Sequence, residues 1–369
     1  LPLSTDRGSP ALTKRSHRLL VVQPLPGIGD MVWHLPHIRA LARHAGAPLT
    51  LLAKPRSRAD QIFAAEDTVR DIIWVDRNPK GASGAHDGVL GLWRLIRTLR
   101  AGRFDAAVLL HHSPSLAFAT LAAGIPLRQG YGVGAQRWFL NRGPRLTRVV
   151  WRQHRPMERA TLFMKAANIT LDEAEPRLPT APEARLAVRQ RLQDAAQPFV
   201  VLGIGSSEPT RQWGARRFAG LARALIDAGW PSLALVGGPD EATLHQEICA
   251  ALGNDAMRVV PALGWHLAET AALLAASAFY IGNDTGVMNM AAAVGTRAYA
   301  LFGTTPVLHH SPQIVPIVSP PGGPVDGVAR VSLEAALAII QRDRGSLGPM
   351  EDGAGTGGPQ PSQSTRRSA

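Results

Sequence analysis

The chain has 369 residues, 45% of them hydrophobic, and a formal net charge of +12 at pH 7. That length supports two domains, each with a substantial core. Its single cysteine, Cys249, excludes a disulfide framework and a multi-cysteine zinc site, and points to a reducing compartment.

Leu1 to His17 and Gly345 to Ala369 are rich in Ser, Gly, Pro and Arg, and are expected to be disordered tails. The first lacks the apolar core of a secretory signal. Arg18 to Gln23 predicts a strand, Pro24 to Gly29 a loop and Asp30 to His44 a helix. Further strands are predicted at Leu49 to Lys54, Ile72 to Val75 and Ala106 to Leu110, with a helix from Val89 to Ala101. Tyr131 to Arg148 reads as a loop rich in Gly and Arg, Met157 to Asn168 as a helix, and Ala174 to Ala184 as a linker. The pattern then restarts. Phe199 to Ile204 is a strand, Gly205 to Trp213 a polar loop and Ala215 to Ala228 a helix. Ser232 to Val236 is a strand, Ala268 to Ala276 a helix, and Phe279 to Gly282 and Ala298 to Phe302 are strands. Val331 to Arg342 is a last helix.

Alternating strands and helices argue for α/β units on parallel sheets. Each half begins with a strand, a glycine-bearing loop and a helix, so two Rossmann-like domains facing across a cleft are expected. The domains are placed at residues 18–180 and 181–344, with tails at 1–17 and 345–369. Ligands of such sheets bind at the carboxyl ends of the strands. No run of about 18 apolar residues exists, and the best, Thr270 to Ile281, is too short to span a bilayer.

The charge is uneven. Residues 1–195 hold 29 Lys/Arg against 15 Asp/Glu, while residues 196–369 hold 11 against 13. The first half should therefore meet the more acidic partner. Its densest run is Arg142, Arg145, Arg148, Arg152, Arg155 and Arg159. Nucleic acid, an anionic membrane surface and a phosphorylated glycolipid each fit that run, as does a plain solvated face. Aromatic residues are sparse along it, and no nucleic-acid-binding signature appears.

Four strand-end loops carry candidate chemistry. In Leu25-Pro26-Gly27-Ile28-Gly29-Asp30, the glycines permit a tight turn, and Asp30 reads either as a helix-end cap or as a general base. The loop is not a dinucleotide fingerprint, because Val32 holds the third glycine position and Lys54 ends the next strand where a ribose-binding acid would stand. A nicotinamide-dependent oxidoreductase is thereby disfavoured. Gly205-Ser206-Ser207-Glu208-Pro209-Thr210-Arg211 offers hydroxyls and a guanidinium suited to an anion. Gly237-Gly238-Pro239-Asp240-Glu241 offers acids that either accept from a ribose or start the next helix. Asp284-Thr285-Gly286 opens a helix whose terminal N–H groups suit a phosphate, with an ordinary cap as the bland reading. One strand later, Phe302-Gly303-Thr304-Thr305 could share that anion pocket. His111-His112 and His309-His310 are unsuited to a metal, since neighbours on a strand point to opposite faces.

The order of these loops, with Gly29-Asp30 and Leu35-Pro36, Thr210-Arg211-Gln212-Trp213, Gly237-Gly238-Pro239, Asp284-Thr285-Gly286 and Phe302-Gly303, resembles glycosyltransferase family nine, which includes the lipopolysaccharide heptosyltransferases. The resemblance spans residues 18–342. It implies the GT-B architecture, with the acceptor on the N-terminal domain and a nucleotide-sugar donor, an ADP-sugar, on the C-terminal one. It implies inverting, metal-independent transfer with no cofactor, Asp30 as catalytic base and Arg211 stabilising the leaving diphosphate. Donor contacts are implied at Ser206, Ser207, Thr210, Gly238, Asp240, Glu241, Asp284, Thr285, Gly286, Asn289 and Gly303. Acceptor contacts are implied at Gly29, with Arg142, Arg145 and Arg148 toward the glycolipid's phosphates. The expected setting is the cytoplasm, at the inner face of a bacterial plasma membrane. Two positions depart from the family's habit, which has Lys where Arg211 stands and His where Asn289 stands. The second departure motivates an alternative: a sugar-nucleotide-binding protein of the same fold without transferase activity.

Overall fold

A computed structural model describes residues 3–4 and 18–349, apart from 79–82, 194, 207, 304 and 321–326. The N-terminal domain contains, in chain order, β1 (Leu3–Ser4), β2 (Leu19–Val22), α1 (Ile28–Ala45), β3 (Leu49–Ala53), α2 (Ala59–Ile62), β4 (Val69–Trp74) and α3 (Gly88–Ala101). It continues with β5 (Ala106–Leu109), α4 (Pro114–Ala122), β6 (Leu127–Gly130), β7 (Arg145–Leu146), α5 (Arg148–Gln153) and α6 (Pro156–Ala166). The second domain follows with α7 (Pro182–Arg191), β8 (Phe199–Gly203), α8 (Ala215–Asp227), β9 (Ser232–Gly237), α9 (Ala242–Leu252) and β10 (Val259–Leu263). Then come α10 (Leu267–Ala276), β11 (Tyr280–Asn283), α11 (Gly286–Ala293), β12 (Ala298–Phe302), β13 (Ile314–Val318) and α12 (Leu333–Arg344).

The first sheet runs β4-β3-β2-β5-β6 and the second β10-β9-β8-β11-β12-β13, each parallel throughout. Within each domain the chain winds outward from its first strand in one direction, then returns and winds in the other. This is the doubly wound Rossmann order, and the loops after the strands flanking the reversal form the ligand-binding crevice. Here those strands are β2 and β5 in one sheet, and β8 and β11 in the other. Central strands such as β2, β5, β8 and β12 are buried along their whole length, because helices cover both faces. Gly46, at φ 72°, ends α1 in the left-handed conformation that glycine adopts without a Cβ penalty.

The domains meet through α1 and α11. One apolar cluster runs without a break from Met31 and Leu35 of α1 to Met288 and Met290 of α11.

Several expected boundaries move. Of the expected linker, the last residues already form the first turn of α7, and the amide of Leu178 donates to the Ala293 carbonyl (2.9 Å) at the end of α11. The segment from Tyr131 to Arg148 is not all loop: it holds a 3-10 turn at Gly134–Phe139 and the short β7, which pairs with Leu3–Ser4. At the other end, Leu347 lies within the expected tail, yet its carbonyl accepts the indole N–H of the buried Trp230. Gly345 ends α12, and of the two expected tails residues 1–2, 5–17 and 350–369 lie outside the described residues.

Candidate active site

The two reversal points face each other. On the C-terminal side, Asn283 at the end of β11 is fully buried and holds the neighbouring loop in place. Its Nδ2 donates to the carbonyls of Ile204 and Gly205 (3.1 Å each), and its Oδ1 accepts from the Trp213 amide (3.2 Å). Trp213, also fully buried, donates its indole N–H to the Val331 carbonyl (2.8 Å). Arg211 is presented between these anchors by a short 3-10 turn, Pro209–Arg211.

Arg211 lies among carboxylates. Its Nη2 is 3.1 Å from Glu208 Oε1 and its Nη1 is 3.8 Å from Asp284 Oδ2. Asp284 is buried, and its Oδ2 accepts the Thr305 hydroxyl (2.8 Å). Burial pushes the Asp284 carboxyl above its ordinary range, while the Thr305 hydroxyl and the Arg211 guanidinium pull it down. The Thr285 side chain makes no hydrogen bond to the amides that start α11, so no capping side chain takes the helix's first amides.

On the N-terminal side, Asp30 sits in the first turn of α1 and accepts the Gly27 amide through Oδ2 (3.1 Å). The two sequence readings of this residue are therefore compatible: one carboxylate oxygen caps the helix while the group faces the other domain. Burial raises the Asp30 carboxyl; the Gly27 amide and, across the cleft, the charge of Arg211 oppose the rise. Behind it, the Asp30 carbonyl meets Nδ1 of the buried His34 (2.7 Å) and Nε2 of the buried Gln23 (3.3 Å), which fixes the turn.

The glycines of the two helix starts serve each other. A Cβ on Gly286 would stand 2.7 Å from Ile28 Cβ and 3.1 Å from the Gly29 amide nitrogen, and one on Gly29 would stand 2.8 Å from Asn289 Nδ2. Their lack of side chains lets one domain's backbone approach the other's, where the sequence suggested approach by a ligand. Asn289 is likewise occupied by protein. Its Oδ1 accepts the Trp33 indole N–H (2.7 Å) and its Nδ2 donates to the Thr285 carbonyl (3.0 Å). Trp33 also meets His310 edge-on, with ring centroids 5.6 Å apart. The residue at 289 thus joins the domains, which gives the departure at this position a structural partner.

The other candidates divide. Glu241 accepts the backbone amides of Ser206 (3.2 Å) and Gly238 (2.7 Å), binding the second and third loops together. Asp240 and Thr210 are exposed. Gly303 is backed by the Gly327–Val328 backbone, where a Cβ would come within 2.4 Å of the Val328 nitrogen. Ser207 lies outside the described residues. The three arginines expected to meet the acceptor's phosphates have separate surroundings. Arg148 is exposed at the start of α5, the stem of Arg145 packs against Gly132, and Arg142 is held near the β6 edge by its amide on the Arg128 carbonyl. Later members of the run reach the cleft instead, because α6 packs on α1. The charge of Arg155 acts on both Asp284 and His310. Arg159 stacks 3.6 Å over Trp151, and its charge, with those of His112, His34 and Lys54, adds to burial in lowering the His111 imidazole to about 4.

Trp33 and Asn283 were not singled out for a role by sequence, while Arg155 was read only as part of the arginine run and Thr305 only as part of its loop. All stand inside or beside the loops that were, but nothing in one sequence says which neighbour points inward. Among the described residues, no group of three or more His, Cys, Asp or Glu could hold a metal ion.

Two Rossmann-like domains apposed at their reversal points make the GT-B architecture. The model of glycosyltransferase family 9 (heptosyltransferase) matches residues 92–316, and the chain belongs to that family. It is 26% identical over 317 residues to lipopolysaccharide heptosyltransferase 2 of Escherichia coli (strain K12), covering 82% of this chain and 88% of the relative. It is 30% identical over 159 residues to lipopolysaccharide heptosyltransferase 1 of Pseudomonas aeruginosa, covering 42% of each. In fold it is similar to the family 9 glycosyltransferase of Veillonella parvula (TM-score 0.73, 18% identity, 90% of this chain and 98% of that one). It is also similar to the ADP-heptose lps heptosyltransferase II of E. coli (TM-score 0.68, 22% identity, 88% and 99%).

Proposed function

We propose that this glycosyltransferase moves a heptosyl group from ADP-heptose onto a phosphorylated glycolipid of the lipopolysaccharide inner core, by single displacement with inversion and without a metal ion. The observation that carries the reading is the apposition of Asp30, from one domain, with Arg211 and the start of α11, from the other.

Asp30 would take the proton of the acceptor hydroxyl as its oxygen bonds to the anomeric carbon. A carboxyl raised by burial is a stronger base than an exposed one. The bond from the anomeric carbon to the phosphate oxygen breaks, and its electron pair leaves with the diphosphate. Arg211 and the first amides of α11 would receive that charge, the work a metal performs elsewhere. The relatives' printed names favour a heptose donor and a lipopolysaccharide acceptor. The basic N-terminal half, with Arg155 and Arg159 beside the cleft, suits an anionic acceptor. Reaction on the cytoplasmic face of the inner membrane is part of the same reading; among the described residues, no helix is long and apolar enough to cross a membrane.

The test is mass spectrometry of products after incubation with a panel of nucleotide sugars, ADP-heptose included, and a deacylated inner-core acceptor, with and without EDTA. Transfer from ADP-heptose that survives EDTA, with the product anomer opposite to the donor's by NMR, is expected. A preference for another donor, loss of activity with EDTA, or retention would each overturn the corresponding part.

A further inference from the structure

Helices α3 and α4 cover the outer face of the N-terminal sheet, packed against each other, and α4 also packs against the Gly134–Phe139 turn. Their inward residues, such as Leu95, Leu99 and Leu116, are buried as expected. Their outward face is not uniformly polar. Val89 is 86% exposed, Trp93 53% and Trp138 70%, with Leu90, Phe118 and Leu121 exposed as well. Single exposed apolar residues are ordinary, but six across adjoining elements, two of them tryptophan, form a patch.

The charge around the patch is mainly positive, with Asp87 at the N-cap of α3 as the acid beside it. The three elements that carry the patch hold Arg94, Arg97, Arg100 and Arg137 and no acid within their spans. Two of those arginines lie over the exposed indoles: Arg97 is 4.7 Å from the Trp93 ring centre and Arg137 is 4.5 Å from that of Trp138. Indoles beside guanidinium groups suit the boundary between hydrocarbon and lipid headgroups, where the ring is half-immersed and the cation meets phosphate. A soluble protein partner would need an acidic surface with apolar pockets spaced for these side chains; an anionic bilayer supplies both properties without spacing. Val89 and Leu90 occupy the first turn of α3, on the sheet edge where the strands end and Asp30 sits.

We propose that the outer face of α3, α4 and the Gly134–Phe139 turn docks on an anionic phospholipid bilayer. The proposal deepens the reading of a glycolipid acceptor, since it would bring the cleft to the membrane holding such a substrate, but its test uses no sugar. The full chain is co-sedimented with vesicles of phosphatidylcholine alone and with 30 mol% phosphatidylglycerol. Binding to the anionic vesicles at least tenfold stronger than to the neutral ones, weakened by salt, is expected. The pairs Trp93→Ser with Trp138→Ser, and Arg97→Glu with Arg137→Glu, should each reduce it about tenfold or more while the melting temperature and transfer to a deacylated acceptor stay unchanged. If the tryptophan pair misfolds, the arginine pair decides. Equal binding to both vesicles, no binding to either, or undiminished binding by the variants overturns the proposal. So does sedimentation velocity showing a dimer that the tryptophan pair dissociates. Failed vesicle binding with intact soluble transfer would leave the enzymatic reading standing.

Discussion

Trp33→Phe removes the indole N–H that reaches Asn289 Oδ1 at 2.7 Å, while keeping an aromatic ring against His310. Asn289 is only 4% exposed, so its carbonyl oxygen loses a partner where water does not easily replace it. A buried acceptor left unpaired costs about 1–3 kcal/mol. The two residues stand on different domains, so the cost falls on their closed arrangement and not on either domain's own core. It corresponds to roughly a 5- to 150-fold shift in that equilibrium. Asn289→Ala should cost less, because it strands the indole of the half-exposed Trp33, which water can reach; the backbone bond from residue 289 to the Thr285 carbonyl remains. The assay is a double-mutant cycle on kcat/KM, alongside ADP affinity by calorimetry. ADP affinity should change less than about threefold, since the proposed nucleotide site is on one domain, while kcat/KM falls by roughly the factors above. The double variant should lose less than the sum of the singles. Strict additivity, or a larger loss in Asn289→Ala than in Trp33→Phe, would refute the reasoning.

Other consequences can be measured with the same protein. Asp30→Asn should reduce transfer by about 10²–10⁴-fold while ADP affinity holds, and undiminished turnover would remove Asp30 as base. Burial raises this carboxyl above its unfolded value, so its ionised form disfavours folding at neutral pH and the penalty is relieved in acid; the Asn variant should melt no lower than the parent at pH 7.5. Gly286→Ala places a Cβ 2.7 Å from Ile28 Cβ. Overpacking of this kind costs about 1–3 kcal/mol, and calorimetry should show a lower melting temperature together with lost transfer; a variant as active as the parent would contradict the close contact. Burial lowers His34 to about 4 and His37 to about 3, the latter helped by the His34 charge. Both stay neutral in the fold while the unfolded chain takes up protons below about pH 6.5, so their stabilising effect is complete above that pH and is lost as pH falls toward 4. Melting temperature should drop between pH 7 and 5, and the drop should shrink in His34→Asn with His37→Asn; a flat wild-type profile would count against it.

The central strands were legible because sheets covered on both faces need nearly unbroken apolar runs, and β2, β5, β8 and β12 supply them. The missed strands lie at sheet edges. β10 carries Pro261 and β13 carries Pro316, and proline in a run argues against a central strand. β6 is largely polar, with Arg128 and Gln129 at its middle. The site was legible as loops, since glycine and small polar residues after a strand mark where backbone or ligand comes close. What those glycines approach was not legible. Local sequence cannot say that Gly29 and Gly286, 257 positions apart, face each other. Nor can it distinguish the exposed Arg148 from Arg155, which α6 brings to the cleft.

That pairing of glycines bears on how the chemistry is held. On the proposed mechanism each reversal point would offer one half of a reaction: a carboxylate at the start of α1, and a cation with helix amides at the start of α11. Apart, they would catalyse nothing on that reading, because the acceptor oxygen and the anomeric carbon must meet within bonding reach. Side chains larger than hydrogen at 29 or 286 would separate the two helix starts by the width of a methyl group. The Trp33–Asn289 bond and the Trp33–His310 contact act one turn farther along, restraining the rotation that the glycines permit. Asp30 gains most from this arrangement. Its first oxygen is fixed by the Gly27 amide, which sets the direction of the second, and the approach of Arg211 keeps an otherwise buried carboxyl ionisable. The apposition of the domains would therefore position the proposed base and tune its protonation at once. A variant that loosens the contact should lower the maximal rate and also shift the acid limb of its pH profile upward, since Arg211 then withdraws from a carboxylate that remains partly buried.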